Sequence, residues 1–160
     1  QPVPVLRGIH GGAGAAEATG EGERFHMSWM LDTNIVIALI RHRPAAVLKR
    51  LTACRAGEVL LSSVTAAELW YGVERGQQRL QNEKALRQFL MPLDVVPFDE
   101  EAAVFYGGMR ASLERDGAPT GPLDTMIAAH ALSLGAVLVT NNMREFARVQ
   151  GLRIEDWTQQ

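Results

Sequence analysis

The sequence predicts an α/β protein, a mainly parallel sheet of about five strands with helices on both faces. Three observations carry that prediction. Short apolar runs near 29–31, 59–62, 93–97, 136–140 and 152–157 alternate with longer amphipathic stretches, the pattern of strands joined by crossover helices. The runs at 29–31, 59–61 and 136–139 are unbroken in apolar character, as strands covered on both faces require. Finally, Asp32, Thr33 and Asn34 stand at the seam between the first run and an aliphatic helical segment. That seam is the carboxyl end of a strand, the edge where open α/β sheets bind ligands.

Taken in order, Trp29-Met30-Leu31 reads as a buried strand, and residues 35–40 form the body of the helix that follows. Pro44 suits a first helical turn, so a helix is expected over 45–56, stopping at Gly57, before a second strand at 59–62. Thr65-Ala66-Ala67-Glu68 spells a capping box, which starts a helix over 65–75 with Glu68 in its first turn and Gly76 at its end. Another helix covers 79–90, and a third strand covers 93–97, with Pro97 marking its end or a sheet edge. Asp99 caps a helix reaching to about 115, and residues 116–121 make a turn-rich loop. Pro122 opens a helix that ends before Gly135, and the fourth strand covers 136–140. A short helix over 144–149 and a last strand over 152–157 complete the scheme, with no internal repeat.

Residues 1–26 contain Gly11-Gly12-Ala13-Gly14 and Gly20-Glu21-Gly22-Glu23 and show neither periodicity. Such a segment buries too little surface to order itself. It is expected to be a disordered extension or a non-native leader, with Met27 or Met30 as native start and 27–160 as the folded domain.

Composition narrows the function by exclusion. A chain of 160 residues supports one domain with a real core. Its net charge of −2 names no polyanionic partner. Lys49 and Lys84 are the only lysines, and every other fixed cation is arginine, a bias that high G+C coding also produces. Cys54 is the only cysteine, which rules out an internal disulfide and a cysteine metal cage. No apolar run reaches membrane-spanning length and no signal peptide is visible, so no membrane partner and a cytoplasmic location are expected.

Three carboxylates occupy comparable places: Asp32 after the first strand, Glu68 in the helix after the second, and Asp124 in the first turn of the helix that Pro122 opens. Singly, each has a plain structural role. Asp32 or Thr33 caps a helix, Glu68 completes a capping box, and Asp124 complements a helix dipole. Parallel strands would bring all three to one edge, where carboxylates repel unless a cation or proton joins them. Oxygen ligands with open positions suit Mg²⁺, with Mn²⁺ a possible substitute, whereas zinc favours His or Cys. Of the histidines, His10 and His26 fall in the leading segment, His42 at a helix end, and His130 on a helix where it is expected to be packed or surface-exposed rather than a ligand.

The runs Leu31-Asp32-Thr33-Asn34, Ser62-Ser63-Val64-Thr65-Ala66-Ala67-Glu68-Leu69, Gly121-Pro122-Leu123-Asp124-Thr125-Met126-Ile127-Ala128-Ala129-His130-Ala131 and Val139-Thr140-Asn141-Asn142-Met143-Arg144-Glu145-Phe146 closely resemble the PIN-domain ribonucleases. Among those the match is best to the VapC toxins of bacterial toxin–antitoxin pairs. The likeness runs in order from Met27 to the end, and Gly151-Leu152-Arg153-Ile154-Glu155-Asp156-Trp157 fits the same branch. The resemblance implies a Mg²⁺-dependent endoribonuclease that cuts structured RNA, often tRNA. It also implies silencing by a cognate VapB-type antitoxin whose tail enters the acidic site. A homodimer is implied as well, with DNA met only through the antitoxin. Carried over by position, Asp32 and Asp124 match the principal metal-binding aspartates, Glu68 the second acidic position, and Thr140 and Asn142 the polar cluster after the fourth strand. Many relatives carry an Asp near Asn142, so here a fourth charge falls to Glu145 or Asp156, or is absent. Asn34 either orients Asp32 or caps the helix. A catalytically inactive PIN-fold binding module is the alternative that the amide at Asn142 keeps open.

Substrate grip is less legible. Arg41, Arg43, Arg110, Arg115 and Arg144 are candidates for phosphate contacts. Trp70 and Tyr71 are neighbours on a helix and must diverge in direction, so one packs inward and the other is left for a partner surface. Other classes fail on specific residues. A phospho-receiver needs a Lys after a late strand, and neither Lys49 nor Lys84 stands there; a dinucleotide site needs Gly-x-Gly-x-x-Gly after the first strand.

Overall fold

A computed structural model of the chain describes residues 27–159. The expectation for residues 1–26, and with it His10 and His26, lies outside the described residues.

The strands are β1 (Trp29–Leu31), β2 (Val59–Ser62), β3 (Asp94–Val96), β4 (Val137–Val139) and β5 (Ile154–Glu155). They form one five-stranded sheet in the order β3-β2-β1-β4-β5, and every pair is parallel. The helices are α1 (Thr33–Arg41), α2 (Ala45–Ala53), α3 (Ser63–Arg75), α4 (Arg79–Leu90), α5 (Glu100–Arg115), α6 (Pro122–Ser133) and α7 (Met143–Phe146).

The strand order explains where a ligand fits. The chain winds outward from β1 to β3, then returns to lay β4 on the other side of β1. Connections therefore diverge between β1 and β4, opening a crevice at their carboxyl ends. The register pairs Leu31 with Val139, so the next residues, Asp32 and Thr140, stand side by side. The Asp32 amide donates to the Val139 carbonyl at 2.9 Å.

Alternation along the strands divides the core into two layers. Leu31, Leu61 and Val139 face α1 to α4 with Ile35, Val36, Leu51, Leu69 and Phe89. Met30 and Leu138 face the opposite way, toward α5 to α7, with Met109, Leu113, Ile127 and Phe146. The central strands are buried, while the edge strand β3 is largely exposed and only three residues long. Short edges limit the unpaired backbone offered to other chains.

The C-terminal segment is pinned to the first layer. Trp157 is buried against Trp29, with ring centroids 6.2 Å apart. The Arg50 guanidinium lies 5.1 Å from the Trp157 ring centre. Glu155 Oε2 accepts from both Arg50 Nη2 and Trp157 Nε1, each at 2.8 Å.

Several boundaries differ from expectation for local reasons. α3 begins at Ser63, because β2 runs into it without a loop and Ser62, its last residue, is the cap; Ser62 Oγ accepts from the Val64 amide at 3.1 Å. The expected Thr65–Glu68 capping box does not form, which moves Glu68 to the second turn and leaves the buried Thr65 hydroxyl without a partner. α2 stops at Ala53 because Cys54 is already extended (ψ 148°), and Gly57 at φ +85° makes the turn into β2. α7 starts at Met143 and ends at Phe146, earlier than expected at both ends. Asp99 does cap α5, its Oδ1 accepting from the Ala102 amide at 3.0 Å. Of the two placements open to His130, the structure shows the packed one: it is 1% exposed, with Nδ1 2.8 Å from Ser62 Oγ.

Candidate active site

Asp32 is the N-cap of α1 and, at 3% exposure, lies in the crevice at the strand ends. Capping and site placement prove compatible because the carboxylate has two oxygens. Oδ1 accepts from the Thr33 amide at 2.8 Å, and Oδ2 accepts from the Thr140 hydroxyl at 2.9 Å. Thr140 is fully buried after β4, and its oxygen in turn accepts from the Asn142 amide at 3.0 Å. Thr33 does double duty: its hydroxyl donates to Glu68 Oε1 at 3.0 Å, so the first residue of α1 ties two carboxylates together. Asp124 is half-buried in the first turn of α6.

The three acids lie within electrostatic reach of one another. Burial raises the Asp32 pKa above the ordinary aspartate value, the hydrogen bonds from Thr140 and Thr33 oppose the shift, and the Glu68 charge adds to it. Burial likewise raises Glu68, against the Thr33 hydrogen bond, and the charge of Asp124 raises it further. Asp124 is raised by burial, then by the charges of Asp32 and Glu145. Each carboxylate thus disfavours ionisation of a neighbour, an arrangement that a cation relieves.

Among the described residues, no three carboxylate, imidazole or thiol groups converge into a preformed metal cage. The acids instead make an open, oxygen-only rim. A hard divalent cation fits that donor set, since such ions keep water and take substrate phosphate oxygens to complete their shell. The donor set does not suit zinc: His130 is enclosed between Ser62 and Phe98, and Cys54 lies at the end of α2, its Sγ bonded to the Arg50 carbonyl.

The remaining candidates separate clearly. Glu145, in α7, is the fourth acid whose charge reaches Asp124; Asp156 instead accepts from the Thr158 amide at 2.9 Å. Asn142 is the N-cap residue of α7, but its side chain makes no capping bond. Asn34 is exposed on α1, and the residue that bonds Asp32 is Thr33. Sequence reasoning missed that role for Thr33; a hydroxyl at the first helical position, directly after a site carboxylate, was the available signal.

Of the arginines, Arg41 lies on the rim of a 130 Å³ groove between α1, α3 and α4, which also reaches Glu68 and is walled by Ile37, Ile40, Leu69 and Val73. Arg43, at φ +46°, turns the chain between α1 and α2. Arg110 bonds Glu114 and Tyr106 on its own helix. Arg115 and Arg144 are exposed. The Trp70 and Tyr71 pair diverges as expected: Trp70 packs against the core beneath Arg87, and Tyr71 is 65% exposed.

An acidic, oxygen-lined crevice at the switch point of a parallel sheet suits a hard divalent cation and the phosphate oxygens that complete its shell. The sequence profile of the PIN domain matches residues 29–152. The tRNA(fMet)-specific endonuclease VapC of Shigella flexneri is 47% identical over 132 residues, which cover 82% of this chain and 99% of that protein. Ribonuclease VapC2 of Haemophilus influenzae strain KW20 is 42% identical, covering 82% of this chain and 98% of its own length. The crystal structure of DNA-bound VapBC from Salmonella typhimurium matches with a TM-score of 0.79 at 43% identity, over 82% of this chain and 98% of that one. The VapBC2 structure from Rickettsia felis, bound to a promoter DNA fragment, matches with a TM-score of 0.76 at 36% identity, over 82% and 99%. The chain belongs to the PIN-domain family, in its VapC ribonuclease branch.

Proposed function

We propose that this protein, with residues 27–160 as its catalytic unit, is an endoribonuclease toxin that cuts structured RNA, with tRNA the leading substrate. The observation that carries the reading is the ring of Asp32, Glu68 and Asp124, each disfavouring ionisation of another at the carboxyl ends of parallel strands. Asp32, Glu68 and Asp124 would hold Mg²⁺, for which Mn²⁺ substitutes. When bound, the cation supplies Lewis acidity toward phosphoryl oxygen and water.

The chain's own residues supply orientation. Thr140 and Thr33 fix Asp32, and the Thr33 hydroxyl fixes Glu68, so both carboxylates face the crevice before substrate arrives. Glu145 deepens the negative potential at Asp124. Asn142 stands beside that rim and offers an amide rather than a fourth charge.

The tRNA reading is supported by the name of the Shigella relative, and an antitoxin partner by likeness to toxin–antitoxin complexes. A VapB-type antitoxin would lay an apolar segment in the groove walled by Ile37, Ile40, Leu69 and Val73, which opens beside Glu68. DNA would be contacted through that antitoxin, in a cytoplasmic homodimer. Among the described residues no helix is long and apolar enough to cross a membrane.

The test is cleavage of bacterial tRNA by antitoxin-free protein, with Mg²⁺, with EDTA, and with Asp124→Asn. Discrete fragments that require both the cation and Asp124 are expected, and Asp124→Asn is expected to be non-toxic in cells while still folded and antitoxin-bound. A folded wild-type protein that cuts nothing would favour the second reading, a PIN-fold binding module, for which the amide at Asn142 speaks.

A further inference from the structure

We infer that the cavity between the C-terminal half of α5 and the loop leading into α6 receives one unpaired nucleobase of the RNA, beside the scissile phosphate. The inference rests on the ribonuclease reading and adds a base-selective subsite to it. The cavity has a volume of 180 Å³, with Leu113, Pro119 and Pro122 as apolar walls and Arg110, Glu114 and Thr120 as polar groups.

Position ties it to the acidic rim. Pro122 and Thr125 line it, and they flank Asp124 on α6. The Cβ position of Gly121, next to Thr120, lies 4.0 Å from Asp124 Oδ2. The cavity therefore lies within one or two residues of Asp124 along the chain, at the same end of α6.

Chemistry selects the occupant. The Thr120 hydroxyl is buried without a partner, and a buried polar atom in that state calls for a ligand or water. Thr125 has no proton to offer it, because its own hydroxyl donates to the carbonyls of Gly121 and Thr120. Arg110 is held as a fork by Glu114 Oε1 at 3.1 Å and the Tyr106 hydroxyl at 3.2 Å, which leaves donors free. The Glu114 carboxylate repels a phosphate but accepts from an amino group. Flat apolar faces, an acceptor and adjacent donors match a base that carries an amino group beside a ring carbonyl, guanine or cytosine. Single-stranded RNA is commonly read in this way, with the base splayed out and its edge hydrogen-bonded.

The experiment is equilibrium binding of fluorescent single-stranded RNA hexamers to full-length Asp124→Asn protein in EDTA, followed by anisotropy. Each hexamer carries G, C, A or U at one position in an otherwise constant sequence, and the varied position is moved along the chain. At one position, G or C is expected to bind roughly tenfold tighter than A or U, the size of a single base-edge contact. Adding Thr120→Val or Glu114→Ala is expected to erase that preference. Equal binding of all four bases at every position, or a preference that survives both substitutions, overturns the inference. Cleavage by the wild-type enzyme is scored separately. Even binding with cleavage intact sinks the subsite alone, and selective binding without any cleavage sinks the ribonuclease reading.

Discussion

Hydroxyl groups hold this site in shape. Thr140 sits fully buried between Asp32 Oδ2, to which it donates, and the Asn142 amide, from which it accepts. Thr140→Val keeps the volume and leaves both partners unpaired, a loss of about 1–3 kcal/mol in unfolding free energy. Because the bond orients a candidate metal ligand, cleavage is expected to fall roughly 10- to 100-fold, while Thr140→Ser restores most of it. Denaturant melts and single-turnover cleavage measure the two effects, and a Val variant as active as wild type would remove Thr140 from the positioning of Asp32. At this scale the sequence was informative about acids and much less about hydroxyls. An Asp at a strand end is visible as a candidate whatever it bonds. That the hydroxyl of Thr33 crosses to Glu68, 35 positions away, depends on β1 and β2 lying side by side, which no local pattern encodes.

Between elements, the clearest case is the joint of α3 with α6. Ser62 caps α3 and meets His130 of α6, whose Nε2 is buried without a partner. Burial lowers the His130 pKa below the ordinary histidine value, and the nearby Asp99 charge opposes the shift. A histidine with a lowered folded pKa takes its proton in the unfolded chain first. Stability is therefore highest above the unfolded value of about 6.5 and declines as pH drops from there toward the lower folded value. Replacing His130 by Gln, which keeps a polar group near Ser62 but does not titrate, is expected to flatten that part of the profile in chemical denaturation between pH 7 and 5. An unchanged slope would show that other groups set it. The same joint explains the misplaced helix start. Thr65-Ala66-Ala67-Glu68 satisfies a capping box by residue type, but Ser62 lies one turn earlier and at the end of a strand, so the earlier cap wins. Glycines separate in the same way: Gly57 turns the chain at φ +85°, whereas a Cβ at Gly107 of α5 would meet nothing within 4 Å. Gly57→Ala is expected to cost about 1–2 kcal/mol, and Gly107→Ala to gain roughly 0.5–1 kcal/mol, both read by urea denaturation.

For the molecule as a whole, the alternation of short apolar and longer amphipathic runs made the parallel sheet legible, and the PIN-domain likeness agreed with it. Strand order is another matter: that β4 returns beside β1 follows from packing of the whole chain, and this return is what gathers Asp32, Glu68 and Asp124. Gathering them brings mutually repelling, partly desolvated carboxylates together in the cation-free protein, a trade of stability for function familiar at active sites. Two consequences can be measured on the protein alone, without RNA. In EDTA at pH 7, Asp124→Asn removes one of the repelling charges and is expected to melt above wild type. A cation that binds only the folded state then stabilises wild type by RT ln(1 + [L]/Kd), about 1.4 kcal/mol at ten times Kd and a shift of a few degrees. Titrating MgCl₂ or MnCl₂ at constant ionic strength should raise the wild-type melting temperature and leave Asp124→Asn almost unmoved, so that the two curves converge or cross. Parallel responses to the cation would mean that Asp124 does not hold it, and a wild type already more stable than Asp124→Asn in EDTA would mean that the carboxylates are not in conflict.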